Sequence, residues 1–95
     1  ARARATQGDV VRRVREAHVK LGEALTHTRL VKEEILPRAE TILRAAEARH
    51  AAGDLSLADV LPIRRDHASV RLAHLDALRE VMEAWGQLKP FLAEK

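Results

Sequence analysis

Five histidines, His18, His27, His50, His67 and His74, have the widest chemical reach in this chain. Two imidazoles grip one metal ion from a single helix face when they stand four residues apart, and no pair here has that spacing. His67 and His74 are seven residues apart, two helical turns, which is too far to share an ion. Only a cross-helix arrangement, such as His50 with His67 or His27 with a partner, stays open. Histidines on the surface or in a helix seam are the expectation, with no metal and no cofactor. Catalysis has less support still. The chain carries no glycine-rich phosphate loop, no nucleophile motif and no paired carboxylates in a pocket-forming context. Ser56 reads as a helix cap and Ser69 as a small seam residue, so no enzyme is expected. Arg12, Arg13 and Arg15, or Arg64, Arg65 and Arg71, could reach phosphates. Glu16, Asp66 and Asp76 interrupt those faces, and one Trp and one Phe leave almost nothing to stack on bases. These read as solvated faces, with no nucleic-acid partner.

The elements that must position these residues are helices. Ninety-five residues make one small domain or a piece of a larger one. Ala, Leu, Arg and Glu dominate, a helix-forming alphabet with little from which to build a sheet. The net charge of +3 arises from 17 basic and 14 acidic residues that are interspersed, the pattern of solvated helix faces. With no Cys, a disulfide framework and a thiolate metal site are both excluded. No apolar run approaches the roughly 18 residues a membrane helix needs, so no membrane contact is expected of this segment. The start, Ala1-Arg2-Ala3-Arg4-Ala5, is basic, but no apolar signal segment follows it.

Residues 1–8 read as a frayed segment ending at Gly8, after which Asp9 can cap a first long helix over 9–52. Its apolar stripe is expected along Val14, Leu21, Thr28, Ile35 and Ile42, flanked by Val10, Ala17, Ala24, Val31 and Ala45. Pro37 lacks an amide donor and clashes one turn back, so a kink is expected near Ile35-Leu36. Residues 53–56 form a turn: Gly53 stops one helix, and Ser56 with Asp59 starts the next as an acidic variant of the capping box. The second long helix is expected over 57–89, with a tail at 90–95. Its stripes are Leu61, Ala68, Leu75 and Met82 in one heptad series and Leu57, Leu78, Trp85 and Leu92 in another. Pro62 predicts either an irregular first turn or a regular helix beginning near Leu61. The fold is thus an all-α, long antiparallel two-helix coiled-coil hairpin, roughly 50–60 Å long. Leucines off the main stripes, among them Leu25, Leu30 and Leu72, predict a second apolar seam and association into a larger helical bundle.

The bend carries a more specific pattern. Ile35-Leu36-Pro37-Arg38-Ala39-Glu40, then Ala45 through Leu61 with Gly53-Asp54-Leu55-Ser56-Leu57-Ala58-Asp59-Val60-Leu61 at its end, then Arg64-Arg65-Asp66, resembles a TolC-type outer-membrane efflux protein. The resemblance continues through Arg71–Leu78 to Ala84 and Leu88 and covers roughly residues 10–90. It looks like the C-terminal periplasmic hairpin of that family. The resemblance implies a trimer whose helices build a periplasmic α-barrel below an outer-membrane β-barrel. It implies that the hairpin tip meets a periplasmic adaptor (membrane fusion) protein linking the duct to an inner-membrane pump. It assigns Gly53, Asp54, Leu55, Ser56, Val60 and Leu61 to the adaptor-contacting tip, and Asp59 to an acidic pore constriction. A ring of like carboxylates at a narrow mouth favours cations over anions. Asp59 also has the plainer role of stabilising a helix start.

Two departures stand beside the resemblance. Pro62 occupies a position often held by Asp or Ala in the family, so a second acidic ring is lost. Nothing here supplies strands for a membrane barrel, so the chain reads as a fragment or as a small protein that kept only the hairpin. The expected function is a periplasmic segment of an outer-membrane duct serving tripartite export. The alternative is a self-associating coiled-coil module with no transport role.

Overall fold

Ala, Leu, Arg and Glu lose little side-chain freedom in a helix, and in the computed structural model every regular element among the described residues is helical. The structure describes residues 2–92, with side chains from Gln7 onward. Helix α1 (Arg2–Leu30) passes through a π-turn (Val31–Ile35) into α2 (Leu36–Ala51), and after a short bend α3 (Leu57–Leu92) runs back along both. The fold is the all-α helical hairpin that the periodicity predicts. Its extents are 74 × 20 × 15 Å and its radius of gyration is 21.1 Å, against about 12 Å for a compact chain of this length. That shape leaves no room for an enclosed core, and among the described residues the buried side chains all lie in one seam between the arms. The hairpin is longer than the sequence estimate because its first arm is helical from Arg2 to Ala51.

The helix ends differ from expectation in two places, before Asp9 and after Lys89. Gly8 does not stop the chain, and Asp9 is not a cap: it lies inside α1 and pairs with Arg12 and, at 3.0 Å, with Arg13. Pro62 does not delay α3, which starts at Leu57 and carries both Pro62 and Pro90. Pro90 through Leu92 are therefore helical, while residues 93–95 of the expected tail lie outside the described residues.

The seam explains the largest corrections. On the first arm, Val14, Ala17, Leu21, Ala24, Thr28 and Val31 face α3 in alternating steps of three and four. The next step is five, to Leu36, after which Ala39, Leu43, Ala46 and His50 resume the alternation. The π-turn supplies the extra residue, with the Leu36 amide donating to the Val31 carbonyl. Pro37 stands just after it: it has no amide to donate and its ring crowds the preceding turn, so the ladder widens there. Ile35, Ile42 and Ala45 are carried off the stripe and exposed as a result.

On α3 the seam runs Val60, Ile63, His67, Val70, His74, Ala77, Val81, Ala84, Leu88 and Phe91, in unbroken steps of three and four. The two series expected there, Leu61–Met82 and Leu57–Leu92, point outward instead, and Ser69 is also exposed off the seam. Small side chains such as Ala17, Ala24, Ala46, Ala77 and Ala84 fill the buried positions and let the arms approach closely. Thr28 Oγ1 and His74 Nδ1 are buried there without hydrogen-bond partners.

Candidate functional site at the bend

The bend is built by two capping motifs set back to back. In the first, the Gly53 amide donates to the His50 carbonyl at 3.0 Å and the Asp54 amide to the Arg49 carbonyl at 2.8 Å. These are the two crossed bonds of a Schellman motif, which needs a left-handed residue after the helix, and Gly53 sits at φ +83°. In the second, Ser56 Oγ accepts from the Asp59 amide at 3.2 Å and donates to Asp59 Oδ2 at 2.8 Å. The Ser56 carbonyl accepts from the amides of Asp59 and Val60, both at 3.1 Å. In the usual capping box a longer Glu reaches back to the cap amide. The shorter Asp59 reaches the Ser56 hydroxyl.

Between the motifs, His50 Nδ1 lies 2.8 Å from the Leu55 carbonyl. Below the bend, Arg64 clamps α3 to α2 by donating to both carboxylate oxygens of Glu47, Nε to Oε1 at 2.5 Å and Nη2 to Oε2 at 2.9 Å. Those hydrogen bonds hold the Glu47 carboxyl below its ordinary value against an opposing push from burial, with smaller help from the charge of Arg64 and, when its ring is protonated, of His50. The same bonds raise Arg64 further.

The structure brings the sequence-assigned residues together in one place but gives them unlike surroundings. Gly53, Asp54, Ser56, Asp59 and Leu61 are exposed, and Leu55 is half-buried. Val60 is 0% exposed and packs in the seam. Leu57, expected in the seam, is 50% exposed beside Leu61 at 38%, so the bend displays an apolar pair one turn apart, with Asp59 on the other side of the helix. His50, weighed in the sequence only as a cross-helix metal ligand or a surface or seam histidine, has a structural contact there that sequence reasoning did not assign. The signal was there: a Schellman motif is usually closed by an apolar contact between the positions occupied here by Arg49 and Asp54. Charged residues at both leave that closure to something else.

Away from the bend, a shallow open groove along the seam is lined by Lys20, Glu23, His27, Glu80, Glu83 and Gln87. His27 Nδ1 lies 3.6 Å from Glu80 Oε2 across it. Among the described residues no three His, Asp or Glu side chains stand close enough to hold a metal ion. No described helix is long and apolar enough to cross a membrane. The family model for outer membrane efflux proteins matches residues 1–94 of the chain. No curated protein and no solved structure matches it.

Proposed function

We propose, from the premise that this chain belongs to the outer membrane efflux protein family, that the hairpin is a periplasmic arm of an efflux duct whose tip docks an adaptor. The family's work is transport, and its members are outer-membrane proteins with periplasmic helical parts that trimerise and act with adaptor proteins. The observation that carries the reading for this segment is the exposed pair Leu57 and Leu61 at a bend fixed by two caps. A capped bend is pre-organised, so little ordering cost opposes docking. Apolar side chains held at the end of a long rigid arm suit insertion between the helices of a partner's hairpin. Gly53, Asp54, Leu55 and Ser56 would form the edge of that surface, and Val60 would hold it from beneath. Asp59 would face the duct mouth, where three copies in a trimer form an acidic ring that favours cations. The outer stripe of α3, with Leu72, Leu75 and Met82 at 62%, 60% and 72% exposure, suits lateral packing against neighbouring helices of the duct.

The test is titration of the chain with the α-hairpin of a periplasmic adaptor. Leu57→Asp and Leu61→Asp should each weaken binding at least about tenfold, the cost of one central apolar contact. Leu72→Asp, farther along the same helix, should bind as the parent does. Parental affinity in both tip variants, with helicity retained, sinks the docking reading.

A further inference from the structure

The contacts at the bend point to a task for His50 that neither the family nor the motif pattern assigns. We propose that His50 is the positioning residue of the tip: its Nδ1–H, donated to the Leu55 carbonyl, holds the three bend residues Asp54–Ser56 in place and fixes where Leu57 and Leu61 emerge. The 2.8 Å separation is that of a good hydrogen bond. A carbonyl only accepts, so the hydrogen lies on Nδ1, which sets the tautomer of the neutral ring. His50 is the last seam residue of α2 and half-buried, so packing fixes its ring before it reaches across the bend. Both neighbouring motifs end at this point. The Schellman bonds fix the chain up to Asp54, and the Ser56 cap fixes it from Ser56 onward. Leu55 alone lies between them, and the bond from His50 is what ties its carbonyl to the arm. His50 thereby replaces the apolar closure that Arg49 and Asp54 do not make.

The consequence for docking rests on the function proposed above; the bond itself does not, and the experiment separates the two. His50→Phe keeps a ring and loses the donor, whereas His50→Gln keeps a side-chain donor. In the parent chain, long-range proton–nitrogen correlation of the imidazole should show the neutral ring protonated on Nδ1. Amide exchange at Asp54, Asp59 and Val60, which carry the two capping motifs, should quicken about two- to tenfold in His50→Phe, the range for losing one modest hydrogen bond. It should stay near the parental rate in His50→Gln, and amides in the middle of the arms should not respond in either variant. Adaptor affinity should fall with the same ranking. A ring protonated on Nε2, or equal exchange in parent and His50→Phe, overturns the proposal. If the parent does not bind the adaptor hairpin at all, the docking reading fails and the exchange rates still decide the role of His50.

Discussion

One substitution, made at two glycines, should move stability in opposite directions. Gly22 lies inside α1 and Gly53 closes α2, and a Cβ built on either meets nothing within 4 Å. Sterics with neighbours therefore drop out, and only backbone conformation is left to decide the sign. At Gly22 the backbone is helical, so Gly22→Ala recovers helix propensity and should stabilise by about 0.8–1.0 kcal/mol. At Gly53 φ is +83°, a region where an L-residue pays about 1–2 kcal/mol. Gly53→Ala should therefore destabilise by that amount, giving a spread of roughly 2–3 kcal/mol between the two variants. Gly53→Asn should cost less than Gly53→Ala, since Asn tolerates the left-handed region better. Thermal unfolding followed by circular dichroism reads this directly, because about 1 kcal/mol moves the midpoint of a domain this size by roughly 4–8 °C. Equal midpoints for Gly53→Ala and the parent would falsify the left-handed cap, and with it the Schellman geometry on which the bend depends.

Two further outcomes follow from the seam and the clamp. Deleting Glu33 from the π-turn together with Pro37→Ala should leave one continuous helix with its seam in register, within about 1 kcal/mol of the parent. Deleting Thr26 in the same Pro37→Ala background should cost more than about 3 kcal/mol, because Val14, Ala17, Leu21 and Ala24 rotate out of the seam; equal stability of the two deletions would contradict the register assignment. The Glu47–Arg64 clamp should appear as acid sensitivity. Glu47 titrates below its ordinary value in the folded chain, so its contribution is complete above that ordinary value and vanishes as pH falls through the folded one. Denaturation midpoints measured from pH 6 to pH 3 should fall more steeply in the parent than in Glu47→Gln, and parallel curves would show that the clamp adds nothing to stability.

Much of this hairpin is legible in the sequence, because its fold class and its bend are local matters. Gly53, Ser56 and Asp59 act through bonds to residues within a few positions; Gly53 and Ser56 make the bonds their type and spacing predict, while Asp59 meets the Ser56 hydroxyl in place of the cap amide. The Val14–Val31 stripe is equally local, a heptad repeat that Gly22, off the seam, weakens without shifting. The repeat fails to extrapolate past Val31 because a π-turn adds one residue without altering composition. Pro37 announces an irregularity, but a kink and a widened turn both accommodate a missing amide, and only the widened turn shifts the register. Hence Ile35 and Ile42 pass for seam residues on paper and Leu36 and Leu43 hold those places in the structure.

The inversion on α3 has a different cause, and it bears on function. That helix carries two apolar stripes at heptad spacing, a large one through Leu61, Leu75 and Met82 and a smaller one through Val60, Val70, Ala77 and Ala84. Hydrophobicity alone favours placing the larger stripe inside. Two arms that meet along their whole length need small residues at the contact, since each bulky pair pushes the axes apart. The first arm already presents Ala17, Ala24 and Ala46, so only the Val and Ala stripe of α3 fits against it. The Leu and Met stripe is then left outside at a cost that a lone hairpin has no means to offset. An exposed heptad series suits cover by other helices, which neighbouring hairpins of the proposed duct would supply. The packing rule that closes the hairpin on its small stripe would thus leave the outer run from Leu75 to Met82 to neighbouring helices of the proposed duct, and the bend end of that face, Leu57 with Leu61, to the proposed docking partner.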